Sequence, residues 1–186
     1  GYHGWHDWYL SANLRSKTQL NQQLIKNLPI EGVPKVLKNH TYVFDYNDLN
    51  SIKKIINSDN KIGTLKMEVC RNKLPKKNYL KEIRKICTKK KIVLIFDECT
   101  SGFRNNYGGL HLKYGVNPDL ALFGKALGNG FAINTVIGNR EIMSSVKNTF
   151  ISSTFWTEKI GFVAALKTLE LMKKEKSWLT INSGGL

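Results

Sequence analysis

The chain has 186 residues, of which 41% are hydrophobic and 10% aromatic; that is enough to bury a core, which excludes disorder and makes one domain the expectation. Its formal charge of +15 raises nucleic acid as a partner, yet no recognition motif accompanies the charge. The lysines (Lys76, Lys77, Lys81, Lys85, Lys89) fall on prospective helix faces amid abundant Asn and Ile, as compositional bias alone would place them. No nucleic-acid partner is expected. No stretch approaches the roughly 20 apolar residues of a membrane span, and no signal-peptide pattern opens the chain. The expectation is a soluble cytoplasmic protein with no membrane partner. Its three cysteines, Cys70, Cys87 and Cys99, are too scattered for a disulfide framework and lack zinc spacing, so no metal is expected.

In chain order, Gly1 to Tyr9 is dense in aromatic and histidine side chains and reads as a loop entering a short helix. Gln19 to Lys38 carries Pro29, Gly32 and Pro34 without a sustained period, and reads as surface loop. Thr41 to Phe44 is expected as a short strand. From Asp48 to Asn57, Leu49, Ile52, Ile55 and Ile56 recur at helical spacing. Ile62 to Met67 returns to a strand that ends at Glu68. Pro75 suits a first helical turn, and the helix to about Lys90 should bury Leu80, Ile83 and Ile86 or Cys87.

Ile92 to Phe96 is an apolar run without charge that breaks off at Asp97 and Glu98. It reads as a buried parallel strand whose carboxyl end carries the acids. Leu120 to Phe123 is a second such run, delivering Gly124-Lys125 to the same edge. Ile133 to Ile137 is a further strand, and Asn139 caps a short helix through Val146. Ser152-Ser153-Thr154 precedes a helix from about Glu158 to Lys173, expected to pack through Ile160, Val163, Ala164, Leu166 and Leu171. Gly1 is no initiator and Trp178 to Leu186 trails off without a closing element, so the chain reads as a piece of a longer protein. Strands alternating with helices at this spacing give βαβ units and an α/β fold with a mostly parallel sheet flanked by helices.

Ligands of open α/β sheets bind at the carboxyl ends of the strands, where Asp97 and Lys125 would converge. A desolvated lysine can form a Schiff base, and pyridoxal phosphate needs one together with an acid against its pyridine nitrogen; a structural salt bridge between the two is the plainer reading. A Walker phosphate loop is excluded, since Asp119 and Ala126 stand where Gly and Ser or Thr are required. Gly128-Asn129-Gly130 lacks the continuation of a dinucleotide fingerprint. The hydroxyls around Thr154 remain as candidates to hold a phosphate.

Taken together, Gly1-Tyr2-His3-Gly4, Leu94-Ile95-Phe96-Asp97-Glu98 with Thr100-Ser101-Gly102-Phe103-Arg104, Gly124 to Gly130, and Ser153-Thr154-Phe155 resemble the successive motifs of class III aminotransferases, most nearly those of glutamate-1-semialdehyde aminomutase-like proteins. The resemblance implies part of the large domain of a fold type I transferase dependent on pyridoxal 5'-phosphate. Its function would be amino-group transfer through a lysine Schiff base, on a small-molecule amino donor and acceptor. The alternative is a non-catalytic α/β binding or scaffold module derived from the same fold.

Position by position, the resemblance implies that Lys125 holds the cofactor and later moves the proton, and that Asp97 faces the pyridine nitrogen. Tyr2, beside His3, matches the aromatic residue stacked on the ring. Thr154 matches a threonine that reaches the cofactor phosphate of a neighbouring subunit, which implies a homodimer. Glu68 matches the family's Glu-Pro pair, although Val69 replaces the proline. Cys99 stands where a valine packs on the other face of the ring. The family's phosphate-binding turn would lie upstream of Gly1 and its small domain beyond Leu186.

Overall fold

The computed structural model describes residues 7–23 and 25–184, which fall into two compact units, residues 1–61 and 62–186.

The first unit begins with helix α1 (Asp7–Leu10) and holds 3-10 turns at Ser11–Leu14, Gln19–Gln22 and Lys35–Leu37 before helix α2 (Leu49–Ser58). The Asp48 side chain caps α2 by accepting from the Asn50 N–H. Ile52 and Ile56 form its buried face, as their spacing predicts. The proline-bearing stretch is less loop-like than its composition suggests, because Leu20 and Val33 are buried. Asn13 is a further anchor: its Oδ1 accepts from the Leu20 N–H at 2.9 Å and its amide donates to the Leu28 carbonyl at 3.2 Å. Residues 41–44 are not a strand. Their β-formers find no strand to pair with, and a strand exists only through its neighbour's hydrogen bonds. Tyr42 instead donates its hydroxyl to Asp59 and carries the Arg15 guanidinium over its ring.

The second unit is built on a four-stranded sheet in the order β1 (Thr64–Glu68), β2 (Val93–Asp97), β3 (Leu120–Phe123), β4 (Thr135–Gly138). The first three strands are parallel and β4 is antiparallel to β3. One βαβ unit, β1-α3-β2, is present, with α3 spanning Tyr79–Lys90. It starts four residues after Pro75, behind Asn78 in a left-handed conformation, and buries Tyr79, Leu80, Ile83 and Cys87. The link from β2 to β3 is a long loop with a 3-10 turn at Leu110–Tyr114.

Period-2 alternation puts Leu65, Met67, Leu94, Phe96, Ala121 and Phe123 on one buried face. Lys66, Glu68 and Asp97 project from the other. Asp119 ties the second unit together from the start of β3. Its Oδ2 accepts from the Leu94 N–H at 2.7 Å and from Arg84 of α3 at 2.8 Å, and its carbonyl accepts from the Asn139 N–H at 3.0 Å.

Asn139 caps helix α4 (Arg140–Ser144) through its side chain, as its residue type predicts. Helix α5 (Ile160–Glu175) packs through a different face from the one its large aliphatics suggest. Gly161, Ala165 and Met172 are buried, while Ile160, Val163 and Leu166 are 60%, 63% and 68% exposed and Leu171 is exposed as well. Close approach decides this: a Cβ on Gly161 would sit 2.8 Å from the Ala132 carbonyl oxygen, so the small residues form the seam. Ala165 joins Ala121, Phe123 and Leu127 in one core cluster, with Leu169 packed beside it. The tail is not featureless either. Helix α6 (Ser177–Ser183) docks on the loop after β2 through paired Asn105–Asn182 hydrogen bonds and a Tyr107–Trp178 ring contact at 5.6 Å.

Candidate active site

Three adjacent parallel strands deliver their carboxyl ends to one rim. Glu68 ends β1 and Asp97 ends β2, directly opposite each other in the register; β3 ends at Phe123, two residues before Lys125. Like charges opposed on neighbouring strands repel, and each acid here has its own cation. Glu68 Oε1 takes Arg71 Nε at 2.9 Å and Nη2 at 2.8 Å. Asp97 Oδ2 pairs with Lys66 Nζ at 3.2 Å, while its Oδ1 accepts from the Cys99 N–H at 3.1 Å.

Asp97 is therefore buried and still charged. Burial by itself pushes its carboxyl up, but the Lys66 charge and the hydrogen bonds from Cys99 and Lys66 outweigh burial and hold it below the ordinary 3.8. Cys99 responds in the opposite sense: burial first, then the negative charge of Asp97, pushes its thiol up to about 11. At neutral pH it is an uncharged thiol, a small apolar body where the related motif has valine.

Gly124 is required by space. A Cβ there would meet the Asn134 Oδ1 atom, so a larger residue would require the Asn134 side chain beside the lysine-bearing turn to move. Lys125 follows with φ of 45°, in the left-handed region that costs an ordinary residue about 1–2 kcal/mol. That strained backbone sends an exposed side chain to Thr100, whose Oγ1 accepts from Lys125 Nζ at 3.3 Å. The same oxygen accepts from Arg71 Nη2 at 3.2 Å. Lys125 and Asp97 make no salt bridge, which removes the structural reading of that pair.

Behind the rim, Glu98 is fully buried. Its Oε1 accepts from the His111 backbone N–H at 2.9 Å and faces His111 Nδ1 at 2.7 Å, and Oε2 takes the Ser101 hydroxyl. This triad pins the loop that carries Cys99 and Thr100.

Of the sequence-derived candidates, Glu68, Asp97, Cys99 and Lys125 converge. Thr154 lies in an exposed turn after β4 and makes no hydrogen bond with them. Tyr2 and His3 lie outside the described residues. Sequence reasoning missed Lys66, Arg71 and Thr100. Lys66 left a trace, a lone cation inside an apolar strand two positions before Glu68. Among the described residues no cluster of His, Cys, Asp or Glu could hold a metal, and no helix is long and apolar enough to cross a membrane.

A mostly parallel α/β sheet with a lysine and a buried carboxylate at its carboxyl edge is the frame of a cofactor-binding transferase domain. The class III aminotransferase family model matches residues 1–183, and the chain belongs to that family. It is 36% identical over 184 residues to the 3-aminobutyryl-CoA aminotransferase of Cloacimonas acidaminovorans, covering 95% of this chain and 40% of that protein. A glutamate-1-semialdehyde 2,1-aminomutase of Sulfolobus acidocaldarius is 32% identical over 180 residues, covering 94% of this chain and 42% of its own length. Among solved structures, an omega-transaminase from Sphaerobacter thermophilus superposes with a TM-score of 0.76 at 25% identity, over 92% of this chain and 42% of that one. The chain thus spans well under half the length of the relatives it matches.

Proposed function

We propose that this chain is part of the large domain of a pyridoxal-phosphate-dependent enzyme that moves an amino group between small molecules or within one. The observation that carries the reading is the pairing at the rim. Asp97 is buried yet kept ionised, and Lys125 at the same rim donates to a neutral hydroxyl and makes no ion pair among the described residues. Those are the two groups the cofactor requires.

Pyridoxal phosphate, when bound, supplies an electron sink for the bond broken at the substrate's α-carbon. Lys125 Nζ would be the group that holds the cofactor and the amine that moves the proton. Asp97 would face the ring nitrogen, because a carboxylate stabilises a pyridinium charge and an amide does not. Cys99 and, by the resemblance, Tyr2 with His3 would contact the cofactor. Glu68, already holding Arg71, borders the same space. Thr154 would reach the phosphate of a second subunit.

A homodimer follows from that placement of Thr154. The exposed Ile160, Val163 and Leu166 of α5 and the exposed Phe150, Phe155 and Trp156 support it, since exposed large apolar side chains are what an interface covers. The phosphate-binding turn and a small domain belong to residues outside this chain, and the cytoplasm is the compartment we propose.

The test is spectroscopic. Full-length protein should absorb in the visible, borohydride should abolish that band, and peptide mapping should place the reduced adduct on Lys125. A colourless protein, or an adduct on another lysine, would leave the scaffold reading in its place. Turnover with and without a separate amino acceptor then distinguishes transfer between molecules from transfer within one.

A further inference from the structure

Thr100 Oγ1 sits between two cations, accepting from Arg71 Nη2 and from Lys125 Nζ. A hydroxyl has two lone pairs and one proton, arranged about the oxygen with the Cβ bond. An arginine side chain is a donor only, so Arg71 claims a lone pair and never the proton. Glu68 fixes it there through both Nε and Nη2. Two directions remain around the oxygen, and one of them points to Lys125.

We propose that Thr100, steered by Arg71, is the positioning residue that holds the Lys125 amine in both of its protonation states. When Lys125 is an ammonium it donates to the remaining lone pair. When it is a neutral amine, the Thr100 hydroxyl turns and donates its proton to the nitrogen lone pair. Glu68 and Arg71 keep the oxygen in place while donor and acceptor exchange roles. A carboxylate partner could not do this, since an ionised carboxylate has no proton to give back. For an amine that must lose and regain a proton while staying in place, a hydroxyl is the fitting neighbour. The catalytic consequence rests on the reading of Lys125 proposed above; the geometry does not.

The test is made first on full-length protein stripped of cofactor, with 13C at lysine Cε and the Lys125 signal assigned by its loss in Lys125→Arg. In the wild type the Lys125 Cε order parameter should stay high on both sides of the amine's own titration. Thr100→Val should drop it to that of a free surface lysine at every pH, and Thr100→Ser should restore it. Arg71→Met should keep the restraint while Lys125 is charged and weaken it once the amine is neutral, because the hydroxyl proton is then no longer steered.

In the loaded enzyme, Thr100→Val should slow the proton-transfer step about ten- to a hundredfold, the span that a hydrogen bond to a charged group commands. The substrate KM should change little, and the α-deuterium isotope effect should rise. An order parameter unaffected by Thr100→Val, or one that collapses in the wild type when Lys125 is neutral, overturns the proposal. A borohydride adduct elsewhere than Lys125 would instead overturn the functional reading and leave the NMR result standing.

Discussion

The Glu98 triad gives a stability prediction independent of any ligand. Glu98 has no exposure and three donors on its carboxylate: the His111 backbone N–H, His111 Nδ1 and the Ser101 hydroxyl. Glu98→Ala removes all three acceptor contacts and leaves the donors in a space closed to water. Each orphaned buried donor costs about 1–3 kcal/mol, so the variant should lose about 3–5 kcal/mol after some relaxation. His111→Ala leaves Glu98 two donors, the position 111 backbone N–H included, and should lose about 2–3 kcal/mol, counting the small cavity.

Glu98→Gln is nearly isosteric. Its carbonyl oxygen can keep both His111 bonds while its amide donates to the Ser101 oxygen, so the charge assistance and the acceptor of the Ser101 hydroxyl proton are lost, about 1–2 kcal/mol. Gly109 offers a fourth perturbation, because a Cβ there would fall 2.3 Å from His111 Cε1 and 3.0 Å from Glu98 Oε1. Gly109→Ala should therefore cost about 1–3 kcal/mol by overpacking. Denaturant unfolding of the four full-length variants, read by circular dichroism with m-values compared, gives the order. Glu98→Gln falling as far as Glu98→Ala would refute the reasoning, since it would mean that the charge, and not donor satisfaction, holds the loop.

Three further outcomes are expected. Lys66→Met should move the Asp97 titration, followed by carboxyl 13C NMR, upward, because burial is then opposed by the Cys99 hydrogen bonds alone. In the wild type the Asp97 contribution to stability is full above 3.8 and fades as pH falls through the depressed value, and the variant should show less of this acid-dependent stability. Asp119→Ala should cost about 2–4 kcal/mol in thermal or chemical unfolding, as it orphans the buried Leu94 N–H and strips Arg84 of its partner. Thr154→Ala should raise the cofactor dissociation constant of the full-length protein about ten- to a hundredfold. Mixed dimers with Lys125→Ala subunits should recover cofactor affinity at the intact Lys125 site, and failure to recover would mean that the threonine acts within its own subunit or not at all.

Where sequence reasoning succeeded, the signal was local. The apolar run ending at Asp97-Glu98, the second run ending at Gly124-Lys125 and the cap at Asn139 each declare themselves within a few residues. Where it failed, the deciding partner was remote. Thr41 to Phe44 has the right residues for a strand and no strand beside it. Helix α5 is apolar on nearly every side, so period alone cannot choose a face; the choice falls to Gly161 and Ala165 because Ala132 comes close. Arg71 and Thr100 carry no local signal of a site role, and Lys66 shows only as a lone cation in an apolar strand. They become a site only when Glu68 and Asp97 fall opposite each other in the β1–β2 register.

The four strands lie in the sheet in the order in which they occur in the chain. Among the described residues no strand has to be inserted between two already paired, so each of these four can add to an existing edge. At roughly 5–20 residues per second the rim is assembled over seconds, Glu68 and Arg71 first, Asp97 and Thr100 next. Lys125 is synthesised last of the rim residues, so its contact with Thr100 can form only after the strands that carry the other members have been made.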